Sequence, residues 1–224
     1  MRRSILLLPL LLTCGGGGSS GSASSAPPPA ATCPPQGNAT SSATQALNVL
    51  KNRNTAPAAL NPAITFAALV APGDDSSRWS GSDGAEITAL VYDVLVGGVE
   101  SANCDATDPA LRDTHLELVA DAAHTAPTQR VIVEVTPRWR TILAAQGVDW
   151  STTGLQALKG RTVTVRGWML YDWEHKTEAF NTAPANAGDW RATAWEIHPI
   201  TALTVQPGPV APGSSTWRGH EDPD

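Results

Sequence analysis

The chain has 224 residues, of which 42% are hydrophobic and 16% are charged, and its formal net charge is −6. Affinity for nucleic acid depends largely on Lys and Arg side chains that neutralise phosphates, so this acidic balance disfavours a nucleic-acid ligand. The stretch between two low-complexity ends is long enough for one domain with a real hydrophobic core.

The first 14 residues have the composition of an export signal. Two arginines precede the apolar run 5–12, which is too short for a bilayer span of about 20 residues. The Leu-Leu-Thr-Cys that follows resembles the lipobox of bacterial lipoproteins, although Thr13 stands where that family has Gly, Ala or Ser. The resemblance implies removal of residues 1–13 as a signal peptide, lipidation of Cys14, and a cell-envelope address on the periplasmic or cell-surface side of a membrane. An ordinary secretory signal with a chance cysteine is the alternative.

Both ends of the chain are predicted to be flexible. Residues 14–43 consist almost entirely of Gly, Ser, Ala, Thr and Pro and cannot bury enough apolar surface to offset the entropy of ordering. They are predicted to form a lipidated stalk, and residues 207–224 a disordered tail, which leaves 44–206 as the domain. Cys33 in the stalk and Cys104 in a loop either form a disulfide, as an oxidising compartment favours, or remain two free thiols.

Hydrophobic periodicity in the domain predicts mainly strands. A short helix is predicted first, an apolar strand or irregular core segment second, and a helical stretch broken at Gly147 lies between the third and fourth strands. Three strands, a helical connection and two more strands is the element order of the OB-fold, a five-stranded Greek-key barrel. The sequence therefore predicts a mainly β OB-type barrel with a short N-terminal helix, and a generic small β-barrel or sandwich is the alternative. The predicted segments are helix 44–53, core segment 64–70, strands 85–96, 113–119 and 130–136, helical stretch 141–158, and strands 161–170 and 193–205, the last interrupted at Pro199.

Residues 85–138 resemble the staphylococcal-nuclease-type OB domain, in the Asp-Thr pair that begins at Asp113 and in the strand Arg-Val-Ile-Val-Glu-Val-Thr-Pro-Arg that begins at Arg130. The resemblance implies a calcium ligand at Asp113 and a phosphate-binding side chain at Arg130. Val135 stands where that family has a second aspartate ligand, and Arg138 where it has the general-base glutamate. A calcium site needs several oxygen ligands and water activation needs a base, so the resemblance implies that the family's catalysis is lost.

The whole domain is also similar to a type of exported bacterial protein without an assigned activity. The similarity lies in its Arg-Asp-Thr-His, Val-Glu-Val-Thr-Pro-Arg and Trp-Glu-Ile-His-Pro stretches. This second resemblance supports the exported address and implies no function.

The charged side of the second strand is the first candidate site. Alternation places Leu116 and Leu118 on one face and charged side chains on the other, where residues of the third and fifth strands could join them. A mixed set of imidazole and carboxylate groups suits a divalent metal, whereas a solvated face with local ion pairs is the alternative, and strand register decides between them. The metal-ligand candidates are Asp113, His115, Glu117 and His198, and the catalytic candidates are Glu134 and Arg130.

Aromatic residues in the loop between the fourth and fifth strands form the second candidate site. OB-folds hold oligonucleotides or oligosaccharides partly through this loop, and aromatic rings stack on bases or sugars. Structural burial of these rings is the alternative. The predicted ligand-binding residues are Trp173, Phe180, Trp190 and, in the densest basic cluster, Arg138.

These observations favour a membrane-tethered, non-catalytic OB-fold module that binds an oligosaccharide, a peptide or another envelope protein. The alternative is a metal-dependent hydrolase, for instance a diverged nuclease, and a divalent metal is the one cofactor that the residues suggest. A structural envelope protein without a small ligand is a third hypothesis. The sequence has no nucleophile elbow, phosphate-binding loop, dinucleotide fingerprint or HExxH motif, which favours binding over catalysis.

Overall fold

The computed structural model describes residues 33–208 as a mainly β domain. The predicted signal peptide, the lipidation residue Cys14 and most of the tail lie outside the described residues. Residues 33–41, which the sequence assigned to the stalk, form turns beside the barrel, and a disulfide joins Cys33 to Cys104 with a Cα separation of 5.8 Å.

Five strands close into a barrel in the order β1-β2-β3-β5-β4, with β4 returning to β1. All neighbours are antiparallel except β3 and β5, which run parallel. This order, with the helical connection between β3 and β4, confirms the predicted five-stranded OB-type barrel. The strands are β1 (Gly84–Val96), β2 (Thr114–Val119), β3 (Val131–Val135), β4 (Thr162–Tyr171) and β5 (Trp195–Val205).

The length and bending of β1 allow the barrel to close. Its first half pairs with β4 and its second half with β2, and the register shifts between Val91 and Asp93. Such a bulge increases the local bend and lets one strand serve two neighbours around the barrel. A similar irregularity separates Gly167 from Met169 in the pairing of β4 with β5. A Cβ on Gly167 would overlap the carbonyl oxygen of Pro199, so only glycine permits this close approach.

Alternate residues of every strand fill the barrel interior. The valine and leucine positions of β2 and β3 are fully buried, as the alternation predicts. Trp150 and Leu155, which follow the break at Gly147, join the same core, and α4 packs against β1. The region predicted as a strand or an irregular segment at 64–70 contains a short helix instead, and its Leu69 belongs to the core.

Residues 33–208 contain four α-helices outside the barrel, and each begins at a hydroxyl side chain that accepts a hydrogen bond from the first helical turn. The proline that ends β3 occupies the first turn of α3, where its missing N–H costs nothing. The helices are α1 (Ser42–Lys51), α2 (Phe66–Leu69), α3 (Pro137–Ala144) and α4 (Thr152–Gln156). Helix α1 contacts the 3-10 turn Ser101–Asn103 and β5, and so covers an outer part of the barrel.

Candidate functional site

A group of charged side chains lies on the outer face of β2, β3 and β5. His115 pairs directly with Glu134 across β2 and β3. Val133 pairs with Ile197 in parallel, and because alternate residues share a face, Glu134 lies beside Glu196 and His198. These side chains, together with Asp113, are named here the buried ionic cluster, which comprises Asp113, His115, Glu134, Glu196 and His198.

Short contacts connect the cluster. Glu134 Oε1 lies 3.0 Å from His115 Nε2, and Glu134 Oε2 lies 3.3 Å from His198 Nδ1. His198 Nδ1 is also 3.2 Å from Glu196 Oε2, while His198 Nε2 faces Asp113 Oδ2 at 3.7 Å. The side chains of Asp113, Glu134, Glu196 and His198 are at most 3% exposed. This group is therefore an interior feature, although it lies outside the apolar core of the barrel.

Burial and charge act in opposite directions on the titration of the cluster. Burial alone would lower the pKa of His198, but the carboxylates around it, chiefly Glu134, raise that pKa to about 9. The same balance, again with Glu134 as the main partner, raises the pKa of His115 to about 9. Burial raises the pKa of Asp113 to about 6, against the opposing charge of His198.

Two further cations neutralise the carboxylates around the cluster. Arg191 donates to Glu196 Oε1 at 2.6 Å, and both side chains are fully buried. Lys51, at the end of α1, lies 2.7 Å from Asp172 Oδ2 and 2.8 Å from Glu100 Oε2. Burial would lower the pKa of Lys51, but Glu100 and Asp172 outweigh it and raise this pKa well above its ordinary value. Helix α1 thus covers the charged barrel face and contributes a buried ammonium to it.

Four members of the cluster keep a polar atom without a hydrogen bond. These atoms are Asp113 Oδ1, His115 Nε2, Glu134 Oε2 and His198 Nε2. Glu134 Oε2 is close to an imidazole nitrogen, but the contact is not directed as a hydrogen bond. One ligand atom from each of Asp113, Glu134 and His198 lies within 4.8 Å of the other two, a spacing that a metal ion could bridge.

Of the other predicted candidates, His115 stays in contact with Glu134, whereas Glu117 and Arg130 lie apart from these three residues. Glu117 lies two residues along β2 and pairs with Arg130, whose Nη1 is 3.1 Å from Glu117 Oε2. Arg130 also lies over the ring of Tyr92 at 4.3 Å, and its Nε donates to the carbonyl of Thr125. Burial raises the pKa of Glu117 despite this partner. The structure therefore joins Asp113 and His198 with Glu134, and places Glu117 and Arg130 in a separate ion pair.

The predicted ligand-binding aromatic residues lie in the loop between β4 and β5. Trp173 is 38% exposed. Trp190 donates its indole N–H to Glu178, and its ring meets that of His175 edge to face. Phe180 is half-buried in the same loop. Arg138 instead donates to the side chain of Asn52 and to the carbonyl of Cys33, which ties the start of the described chain to α3.

The sequence did not lead us to predict a groove that lies beside α3. The groove has a volume of about 890 Å³ and lies between α3, α4 and the turn Pro109–Leu111. Its lining includes Val96 and Val148, which are 37% and 41% exposed, and the carboxylates of Asp108 and Asp149. The sequence feature that could have indicated this groove was the presence of apolar residues on both sides of the break at Gly147. Only the folded chain shows that the 108–111 turn faces them.

The described range 33–208 has no helix with the length and apolar character needed to cross a bilayer. No protein-family model, no curated protein and no solved structure matches the chain.

Proposed function

We propose that this protein is an exported, membrane-tethered binding module, and that the groove between α3 and α4 takes a peptide with apolar and basic side chains. The groove itself carries the proposal, because its volume of about 890 Å³ lies in the range of ligand sites. Large apolar side chains such as Val96 and Val148 are exposed there, and clustered exposed apolar surface is typical of interaction sites.

The lining favours a peptide over a sugar. The groove is lined mainly by Ala, Val, Leu, Pro and Thr, and its single aromatic side chain, Trp150, is only 8% exposed. A sugar ring would therefore find no open aromatic face to stack on. The lining contains two exposed carboxylates, Asp108 and Asp149, and one guanidinium, that of Arg140. This excess of negative charge, in a chain of net charge −6, favours basic residues in the ligand.

The enclosure of the ionic cluster argues against the alternative hydrolase function. A hydrolase would need substrate and water to reach Asp113, Glu134 and His198, whose side chains are at most 3% exposed. The base that the nuclease-type pattern requires is replaced by Arg138, which binds Asn52 and the backbone of Cys33. These contacts support a binding role over a hydrolytic one.

The exported and tethered part of the proposal depends on residues 1–14, whose pattern resembles a lipoprotein signal. The disulfide between Cys33 and Cys104 supports it, because such bonds persist mainly in oxidising compartments. Labelling of the expressed protein with a radioactive or clickable fatty acid tests the anchor. Incorporation is expected in the wild type and is expected to be lost in Cys14→Ser.

Panning of a random peptide library on the full chain tests the groove. Selected peptides are expected to be enriched in apolar and basic residues. Replacing Ala144, which lines the groove on α3, by tryptophan should weaken the best peptide at least tenfold by calorimetry because the indole fills the space. Val49→Trp is the matched control, since Val49 is 45% exposed on α1 and does not line the groove.

Recovery of acidic peptides, or equal affinity in Ala144→Trp and the wild type, would reject the groove as the peptide site. Failure to recover any peptide would favour the third hypothesis, a structural envelope protein. Binding of a chito-oligosaccharide that Ala144→Trp abolishes would replace the peptide by a sugar as the ligand.

A further inference from the structure

Asp113, Glu134 and His198 come from three different strands or strand ends and point toward one another. One ligand atom of each lies within 4.8 Å of the others. Metal–ligand bonds of about 2.1 Å place two ligands of one ion at most roughly 4.2 Å apart. Shifts of less than about 1 Å would therefore bring the three side chains onto a common ion.

The unsatisfied polar atoms give a second, independent indication. Asp113 Oδ1, Glu134 Oε2 and His198 Nε2 lack hydrogen-bond partners, although their residues are 2%, 2% and 0% exposed. A buried polar atom without a partner costs about 1–3 kcal/mol, so most such atoms in folded proteins are satisfied. Within the cluster, His115 Nε2 also lacks a hydrogen bond, but it lies 3.0 Å from Glu134 Oε1, and the other three such atoms belong to the three residues whose geometry suits a metal. A cation between them would satisfy all three residues together.

The contacts around the three residues resemble the support that metal ligands usually have. His115 Nε2 lies 3.0 Å from Glu134 Oε1, the oxygen that faces away from His198. Glu196 Oε2 lies 3.2 Å from His198 Nδ1, so it would hold the ring while Nε2 binds an ion. Neighbours of this kind fix the orientation of metal-bound imidazole and carboxylate groups.

We infer that Asp113, Glu134 and His198 form a buried site for one divalent transition-metal ion of the manganese-to-zinc series. One imidazole and two carboxylates suit these ions better than magnesium or calcium, which prefer oxygen ligands alone. The site differs from the calcium position of nuclease-type domains, because the second ligand there corresponds to Val135, which is fully buried in the apolar core. The ion joins β2, β3 and β5 beneath α1, so its role is to stabilise the fold. The inference is independent of the peptide groove.

Metal binding to the full chain tests the inference. Protein stripped with EDTA and reloaded with Mn²⁺ or Zn²⁺ is expected to retain one ion per chain by elemental analysis. At a hundredfold excess over Kd, the ion should raise Tm by about 5–10 °C, whereas Ca²⁺ should have a smaller effect. Electron spin-echo spectra of the Mn²⁺-loaded wild type should show nitrogen coupling from an imidazole ligand, a measurement that needs no variant.

The variants His198→Gln and Asp113→Asn keep a similar volume and remove one ligand atom, so each is expected to weaken ion binding at least a hundredfold. The matched control is His124→Gln, because His124 and Asp121 form a similar pair at 2.8 Å whose side chains are more than half exposed. Absence of bound ion in the wild type, absence of nitrogen coupling, or equal loss of binding in His124→Gln would each overturn the site.

Discussion

Lys51→Met is expected to lower the free energy of unfolding by about 3–5 kcal/mol. The side chain of Lys51 is 2% exposed and lies between Glu100 and Asp172, the latter 1% exposed. Methionine has a similar length but no charge, so the substitution leaves two carboxylates without their cation under α1. Urea unfolding followed by tryptophan fluorescence measures the loss, since the chain has eight tryptophans.

Lys159→Met is the matched control for this prediction. Lys159 Nζ lies 2.7 Å from Asp93 Oδ1, as close as Lys51 is to its partners, but its side chain is 51% exposed. Exposed pairs of this kind contribute less than about 1 kcal/mol. Equal, small losses of unfolding free energy in the two variants would contradict the conclusion that burial makes the Lys51 contacts strongly stabilising.

Loss of the disulfide is expected to lower the free energy of unfolding about as much as Lys51→Met does. Cys33 and Cys104 are 71 residues apart, and closing a loop of that length restricts the unfolded chain by about 4 kcal/mol in the chain-entropy account. The double variant Cys33→Ser, Cys104→Ser should therefore unfold at a clearly lower urea concentration than the oxidised wild type. Reductant should shift the wild type to the midpoint of the double variant and leave that variant unchanged. An identical midpoint for the oxidised and reduced wild type would contradict the prediction.

The barrel was predictable because its strands depend on local pattern. Alternation around Leu116 and Leu118 defined β2 to within one residue, and the order of strands and helices indicated the Greek-key closure. The short helix α2 was less predictable. A four-residue helix carries too little periodicity to be told from an apolar core segment.

The state of the charged face could not be predicted from the sequence. Alternation described β2 as half-buried, with its polar side in water, but the structure leaves Glu117 only 6% and Asp113 only 2% exposed. Asp113 lies against His198 of β5 and Glu117 against Arg130, while α1 packs beside β5 and ends in Lys51, a residue type that is rarely buried. Which helix packs on which face depends on contacts between residues distant in sequence, so the local periodicity of the sequence cannot predict it.

The disulfide between Cys33 and Cys104 also decides how the molecule bears mechanical load. A pull between the two ends of the chain passes from Cys33 through the sulfur atoms to Cys104, and bypasses residues 34–103. Helix α1 and strand β1 lie inside that bypassed length, so tension cannot stretch them while the bond is intact. Force would instead enter at the loop before β2, and the part of the chain that covers the ionic cluster would be the last to be stretched.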